Sequence, residues 1–245
     1  MKDNFSKQAD IYAKYRPAYP QELFDFVLQH IVEKQNAWDC ATGNGQSAKV
    51  LAEYFENVYA TDISQKQIDK ATQTLNIYYS VQPAEQTNFA DNTFDLITVS
   101  QALHWFATDK FYTEAKRVAK PHSIFAAWSY SLLYTHPAID ELIRSFYRDV
   151  IGPYWDEERK YVDEQYQTIY FPFREITSPA VSMEYYWTIE ELEGYLNTWS
   201  ALQKFILANE YNPVDELIRK IKPYAGNERL KIIFPLHIRM GRIEK

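Results

Sequence analysis

Two of the chain's six glycines fall in Asp39-Cys40-Ala41-Thr42-Gly43-Asn44-Gly45, directly after a short apolar run and directly before a helical pattern. Glycine, lacking Cβ, suits a backbone that must turn tightly or approach a ligand closely. An acid at the end of a strand, followed by Gly-x-Gly and a helix, describes a nucleotide cradle at the carboxyl edge of a parallel sheet. The rest of the chain must therefore supply strands and helices in alternation.

It does. Leu23, Phe24, Val27, Leu28 and Ile31 stand at helical spacing, Ala37 to Ala41 reads as a first strand, and Gln46 to Glu56 as a helix with Ala48, Leu51, Ala52 and Phe55 on one face. Val58 to Ile63 is a second strand ending in Asp62. Ser64-Gln65-Lys66-Gln67 then fits a capping box, with Ile68, Ala71, Thr72 and Leu75 extending the helix. Strands follow at Ile77–Val81, Phe94–Ser100 and Ser123–Tyr130, with a helix over about 109–119 between the last two. This rhythm indicates βαβ units and a mostly parallel sheet.

After Tyr130 the rhythm changes. A helical pattern through Ile139, Leu142, Ile143 and Phe146 leads into an aromatic, proline-punctuated stretch from Gly152 to Pro179, too rich in Tyr and Phe for a linker. Met183–Trp187 is a candidate sixth strand. Leu192, Tyr195, Leu196, Trp199, Leu202 and Ile206 form one helical stripe, and Val214, Leu217, Ile218 and Ile221 another. Leu230–Met240 is the last strand, where Pro235 predicts a bulge or a shortened ladder, because proline donates no hydrogen bond.

A length of 245 residues suits one domain with insertions. A net charge of −7 without a polybasic tract speaks against a nucleic-acid partner. No apolar run approaches a membrane span, and a single cysteine with an apolar-poor start, MKDNFSKQAD, points to the cytoplasm. Aromatic content of 16% is high and suggests an aromatic-lined cavity, although core packing could absorb much of it.

For chemistry, Asp62 is placed to accept both hydroxyls of a ribose. Capping is its bland alternative, yet Ser64 already fits that role. Asp39 either contacts a cofactor or braces the glycine turn as a satisfied buried carboxylate. Gly43-x-Gly45-x-x-Ala48 also satisfies the dinucleotide pattern, so an NAD(P) oxidoreductase stays open. The spacing of Asp39 from Gly43 and a hairpin-like sheet ending favour S-adenosylmethionine. Ala84-Glu85 follows the third strand where a backbone N–H could read an adenine edge, and Ile63 could pack on its face. His104-Trp105, after the fourth strand, sits where open α/β sheets place ligands. His104 could orient an oxygen, accept a proton, or serve structural hydrogen bonds.

Asp39-x-x-x-Gly43-x-Gly45, Asp62, Ala84-Glu85 and His104-Trp105-Phe106 together resemble the class I S-adenosylmethionine-dependent methyltransferases. Tyr12-x-x-Tyr15-Arg16-Pro17-x-Tyr19-Pro20, His104-Trp105, Gly152-Pro153-Tyr154-Trp155 and Thr198-Trp199-Ser200-Ala201 are similar to the trans-aconitate methyltransferase-like subgroup. Two features depart from the family pattern: Ala41-Thr42 precedes Gly43, and Pro83 stands where many members carry an acid.

The resemblance implies a Rossmann-like α/β fold: a seven-stranded, mostly parallel sheet with its last strand antiparallel, helices on both faces and a helical insertion over the active site. It implies a single domain with a cap at 1–33, a cofactor core at 34–132, an insertion and roof at 133–229 and a last strand at 230–245. The cofactor, S-adenosylmethionine leaving as S-adenosylhomocysteine, would be contacted by Tyr12, Tyr15, Arg16, Asp39, Ala41, Gly43, Gly45, Gln46, Asp62, Ile63, Gln67, Ala84, Glu85, Ser100 and Gln101. The N-terminal segment would close over it, Arg16 suiting its carboxylate and the tyrosines its sulfonium or mere packing. His104 is the catalytic candidate. His104, Trp105, Tyr154, Trp155 and Trp199 are the substrate-binding candidates, with Arg144, Arg148 or Arg239 as anion partners. The implied reaction is methyl transfer to a small-molecule acceptor at oxygen, a carboxylate among them, by a cytoplasmic monomer or homodimer with no metal and no membrane partner. A protein that only binds the cofactor is the further alternative.

Overall fold

The computed structural model describes residues 15–226 and 229–245. Pro20 precedes helix α1 (Gln21–Leu28), which buries Leu23, Phe24, Val27 and Leu28. Five strands then run parallel: β1 (Asn36–Cys40), β2 (Asn57–Asp62), β3 (Ile77–Val81), β4 (Phe94–Ser100) and β5 (Ala119–Tyr130). Between them lie α2 (Gln46–Leu51), α3 (Gln65–Ile68) and α4 (Asp109–Val118). β4 is buried along six consecutive residues, as a strand covered on both faces must be.

The later elements are α5 (Pro137–Ser145), α6 (Arg159–Asp163), β6 (Arg174–Ile176), β7 (Val181–Trp187), α7 (Ile189–Leu196), α8 (Ser200–Asn209), α9 (Val214–Ala225) and β8 (Leu230–Arg242). The strand order is β3-β2-β1-β4-β5-β8-β6, with β7 also on β8. β8 runs antiparallel to β5. Its free side is shared, β6 pairing with Met240–Arg242 and β7 with Leu230–Leu236. Eight strands thus fill seven positions. β7 alternates buried and exposed residues, as an antiparallel strand with one packed face should.

Two clusters fill the faces. One joins α1 and α2 to the roof helices α5, α7, α8 and α9; the other packs α4 and the segment around Tyr166 and Phe173 on the opposite side. The crossover order reverses between β1 and β4, so their carboxyl ends diverge and open a crevice.

Three sequence expectations change. α3 stops at Ile68 rather than reaching Leu75, which is fully exposed. The Thr72 carbonyl is taken by Tyr79 Oη at 2.9 Å, and Asn76 Nδ2 donates to the Ala52 and Phe55 carbonyls, tying the chain to the end of α2 instead. The single stripe over 192–206 is two helices, because Trp199 is extended and Thr198 Oγ1 donates to the Tyr195 carbonyl at 2.6 Å. Pro235 causes no bulge: β8 keeps register from Ser182↔Pro235 to Tyr130↔Leu236. Its carbonyl accepts from Ser131 N at 3.4 Å, so its missing donor faces the point where β5 leaves the ladder.

Candidate functional site

The turn after β1 is built from backbone conformation. Ala41 has φ 55°, Gly43 φ 56° and Gly45 φ 81°, and across the crevice Gln101, following β4, has φ 54°. Non-glycine residues in this region cost about 1–3 kcal/mol each and concentrate at functional sites. The two glycines serve different needs. A Cβ on Gly43 would meet nothing nearer than Gln67 Oε1 at 4.0 Å, leaving open space above the turn, whereas one on Gly45 would fall 2.2 Å from Tyr79 Oη.

Two carboxylates hold this turn. Asp39 is fully buried and accepts from Thr42 Oγ1 at 2.5 Å and Thr98 Oγ1 at 2.8 Å. Burial pushes its pKa up to about 6 against the lowering effect of those hydroxyls. The brace is the role this geometry displays. Asp62 accepts from Gly43 N on one oxygen and Ser64 N on the other, both at 2.9 Å, which aims the carboxylate across the turn. Ser47 and Ser100 join α2 to the end of β4, Oγ to Oγ at 2.7 Å. Gln82 N donates to the Asp62 carbonyl at 3.1 Å, bringing the loop with buried Ala84 and half-buried Glu85 beside it. Ile63 and Gln46 are half-buried, and Gln67 is buried near Gly43.

The N-terminal segment docks on the roof. A Cβ on Gly194 would lie 2.5 Å from the Tyr15 ring, so this glycine is the notch that receives it. Arg16 donates to Tyr130 Oη at 2.7 Å and to the Thr198 carbonyl at 3.3 Å, with its guanidinium over the Tyr195 ring. Tyr12 lies outside the described residues.

Beyond the crevice a cavity is lined by Gln101, His104 and Trp105 from the sheet side, by Arg16 from the N-terminal segment, and by Trp155, Asp156, Arg159, Val162 and Ser200 from the roof. His104 and Trp105 sit on a 3₁₀ turn, Leu103–Trp105. His104 Nδ1 lies 2.9 Å from Tyr166 Oη. Burial, reinforced by the Arg159 charge, lowers the imidazole pKa to about 3, so it is neutral at physiological pH. Arg159 donates from Nε to Tyr147 Oη at 2.7 Å, pairs with Asp163 at 3.3 Å, and lies over the rings of Trp155 at 4.7 Å and Tyr147 at 5.4 Å. Asp156 is held by Lys204 at 2.6 Å.

Several sequence candidates lie elsewhere. Trp199 is buried behind the cavity, against Tyr147, Trp155 and Tyr195. Tyr154 packs on Phe205 and accepts from Asn209 Nδ2. Arg144 pairs with Glu141 and Arg148 with Asp149 at the surface, while Arg239 serves the Tyr166 carbonyl and Glu175. Sequence reasoning missed Arg159, Tyr166 and Gly194. In Glu157-Glu158-Arg159-Lys160 an arginine reads as a solvated charge; its place one helical turn after Trp155 was the available signal. Among the described residues no cluster of three metal-ligating side chains occurs, and no helix is long and apolar enough to cross a membrane.

A sequence profile of the methyltransferase domain matches residues 38–127, which is β1 to the middle of β5. A protein of Dictyostelium discoideum named as a methyltransferase is 32% identical over 99% of this chain and 95% of its own. A methyltransferase of Aspergillus candidus is 25% identical over 86% of this chain and 74% of its own. The solved structure of an Anaeromyxobacter dehalogenans protein named as a type II methyltransferase superposes with a TM-score of 0.87 at 34% identity, covering 94% of this chain and 99% of that one.

Proposed function

Since this chain belongs to the class I S-adenosylmethionine-dependent methyltransferases, we propose that it methylates a small-molecule acceptor at oxygen in the cavity between His104-Trp105 and Arg159. The carrying observation is the pairing of that cavity with an open glycine turn across one crevice. The residues present fit the cofactor. Gly43 leaves room above the turn, the Asp62 carboxylate at the end of β2 is an acceptor of the kind that ribose hydroxyls need, and Ala84 offers a backbone edge for the adenine. Arg16 suits the cofactor's carboxylate. Tyr12, Tyr15, Ala41, Gln46, Ile63, Gln67, Glu85, Ser100 and Gln101 complete the proposed contact set, with Asp39 acting through the turn. When bound, S-adenosylmethionine supplies a methyl group on a good leaving group.

The chain's own contribution is then to position the acceptor and exclude water. Trp105 and Trp155 wall the cavity, Trp199 backs them, and residues 133–229 form the roof over the core at 34–132. The single cysteine, buried Cys40, supports a cytoplasmic setting. The trans-aconitate-like subgroup remains the nearest reading of the scattered aromatic motifs.

Calorimetry with S-adenosylhomocysteine and, separately, NADH tests the cofactor. Binding of the first alone, lost in Asp62→Ala, is expected; binding of NADH alone would overturn the reading. Turnover of labelled donor on acids, phenols and amines tests catalysis against mere cofactor binding.

A further inference from the structure

Resting on that methyl-transfer reading, we propose that Arg159 is a specificity-determining residue: its guanidinium occupies an aromatic receptor for ammonium groups. The cavity thereby turns cationic amines away by charge and by space, and a single substitution opens it to them.

The receptor is assembled from irregular backbone. α5 runs into a π turn, Phe146–Val150, in which Ile151 N donates to the Phe146 carbonyl at 3.1 Å. Such turns are rare and gather at functional sites. This one presents Tyr147. A 3₁₀ turn, Gly152–Tyr154, then delivers Trp155, and the break between α7 and α8 delivers Trp199. The three rings meet. Tyr147 and Trp155 have centroids 4.9 Å apart at 37°, Tyr147 and Trp199 5.7 Å apart at 90°, and Trp155 and Trp199 5.9 Å apart at 52°. Rings inclined to one another make a corner, and a corner of π faces attracts a cation.

That attraction is already used. The Arg159 guanidinium lies 4.7 Å from the Trp155 ring centroid and 5.4 Å from that of Tyr147. Its Nε donates to Tyr147 Oη at 2.7 Å and to Asp163 at 3.3 Å, so the group cannot swing aside without losing both. Arginine does not shed its proton. A second guanidinium, Arg16, lines the same cavity and lies 5.5 Å from the Tyr195 ring, while the cavity carboxylate Asp156 is engaged by Lys204 at 2.6 Å. An incoming ammonium therefore finds the π faces taken, two like charges beside it and a space of about 50 Å³. Deleting the guanidinium inverts this arrangement. Tyr147 Oη still donates to Asp163 Oδ1 at 2.7 Å, and Asp163 is exposed enough to lose its arginine and stay solvated. Open aromatic faces near a carboxylate then make a receptor for methylated ammonium groups.

Choline and its uncharged isostere 3,3-dimethylbutan-1-ol test this without a known acceptor, binding being followed by tryptophan fluorescence and by the indole N–H signal of Trp155. The unaltered protein should bind choline no more tightly than the alcohol. Arg159→Ala should prefer choline by at least about tenfold, and Arg159→Lys, which returns a cation to the corner, should restore the original order. Arg159→Gln, which keeps a donor for Tyr147 and loses the charge, should shift the preference the same way and is read instead should the alanine variant fail to fold. A preference for choline in the unaltered protein, no preference in folded Arg159→Ala, or a lysine variant that behaves like alanine would overturn the proposal. Calorimetry with S-adenosylhomocysteine on the same samples keeps the two readings apart. Donor binding without the reversal removes this proposal alone, and absence of donor binding removes the methyl-transfer reading beneath it and the proposal with it.

Discussion

The turn after β1 and the cavity under the roof are built in opposite ways. The turn uses backbone: three left-handed residues within five positions, closed by Asp39 and Asp62 through contacts to nearby amides and hydroxyls. The cavity uses side chains from residues as distant as Arg16 and Ser200, gathered by helices that pack late in the chain. Backbone-built sites tolerate little change in residue type but follow a short motif. Side-chain-built sites vary freely in sequence and depend on the whole fold to assemble. The sequence profile covers the turn and the sheet side of the cavity but not its roof, which only relatives matching the full chain span.

The largest effect that would probe this contrast lies in the roof. Trp199→Ala removes a buried indole flanked by four aromatic neighbours and should cost about 3–5 kcal/mol in denaturant unfolding. If the two regions are independent, the surviving folded protein keeps S-adenosylhomocysteine affinity and loses methyl transfer. Gly45→Ala should come next, at about 3 kcal/mol, from the collision with Tyr79 and the left-handed φ together. Gly43→Ala has only the backbone penalty, about 1 kcal/mol, and should show its main effect in cofactor affinity. Equal destabilisation by the two alanines would mean that the turn has no open side.

Asp39 sharpens the same comparison through pH. Its folded pKa, about 6, lies above the ordinary carboxylate value of 3.8, so protonation favours the folded state. Stability from this group is fully present below about pH 4, falls as the unfolded chain ionises, and levels off above pH 6. The span is about 3 kcal/mol. Asp39→Asn should flatten that part of the stability curve. His104 runs the other way: its folded pKa, about 3, lies below the ordinary 6.5, so its contribution is present above 6.5 and lost as pH falls toward 3. Gly194→Ala should cost about 1–2 kcal/mol, read as a weaker hold of the Tyr15-Arg16 segment and a lower cofactor affinity.

Much of the first region was legible because its determinants are local. Gly43, Gly45 and Asp62 announce themselves by spacing, and the strands β1 to β5 by short apolar runs alternating with helical patterns. The roof was legible only as a set of amphipathic stripes. Periodicity could not show that Trp199 interrupts a helix, since the stripe continues across the break. Nor could it show that Arg159 faces a cavity: on a five-residue helix between charged neighbours, its role is set by Trp155 and Tyr147 packing over it. The tyrosine beside His104 is sixty-two residues away in sequence, and nothing near either residue marks the partnership. The one long-range pairing that sequence did suggest, a proline in conflict with the last ladder, was resolved by where β5 ends.

β8 carries a consequence for the order in which the molecule can be made. β6 and β7 have no sheet partner among the described residues except β8, which follows both of them and all four roof helices. During synthesis the parallel half can therefore assemble its five strands while its cover is still being translated. The cover gains its ladder only when Leu230–Arg242 has left the ribosome. Until then the hydrogen-bonding edge of β7 has no strand to pair with, and a nascent chain paused in that interval would offer chaperones a strand rather than a core.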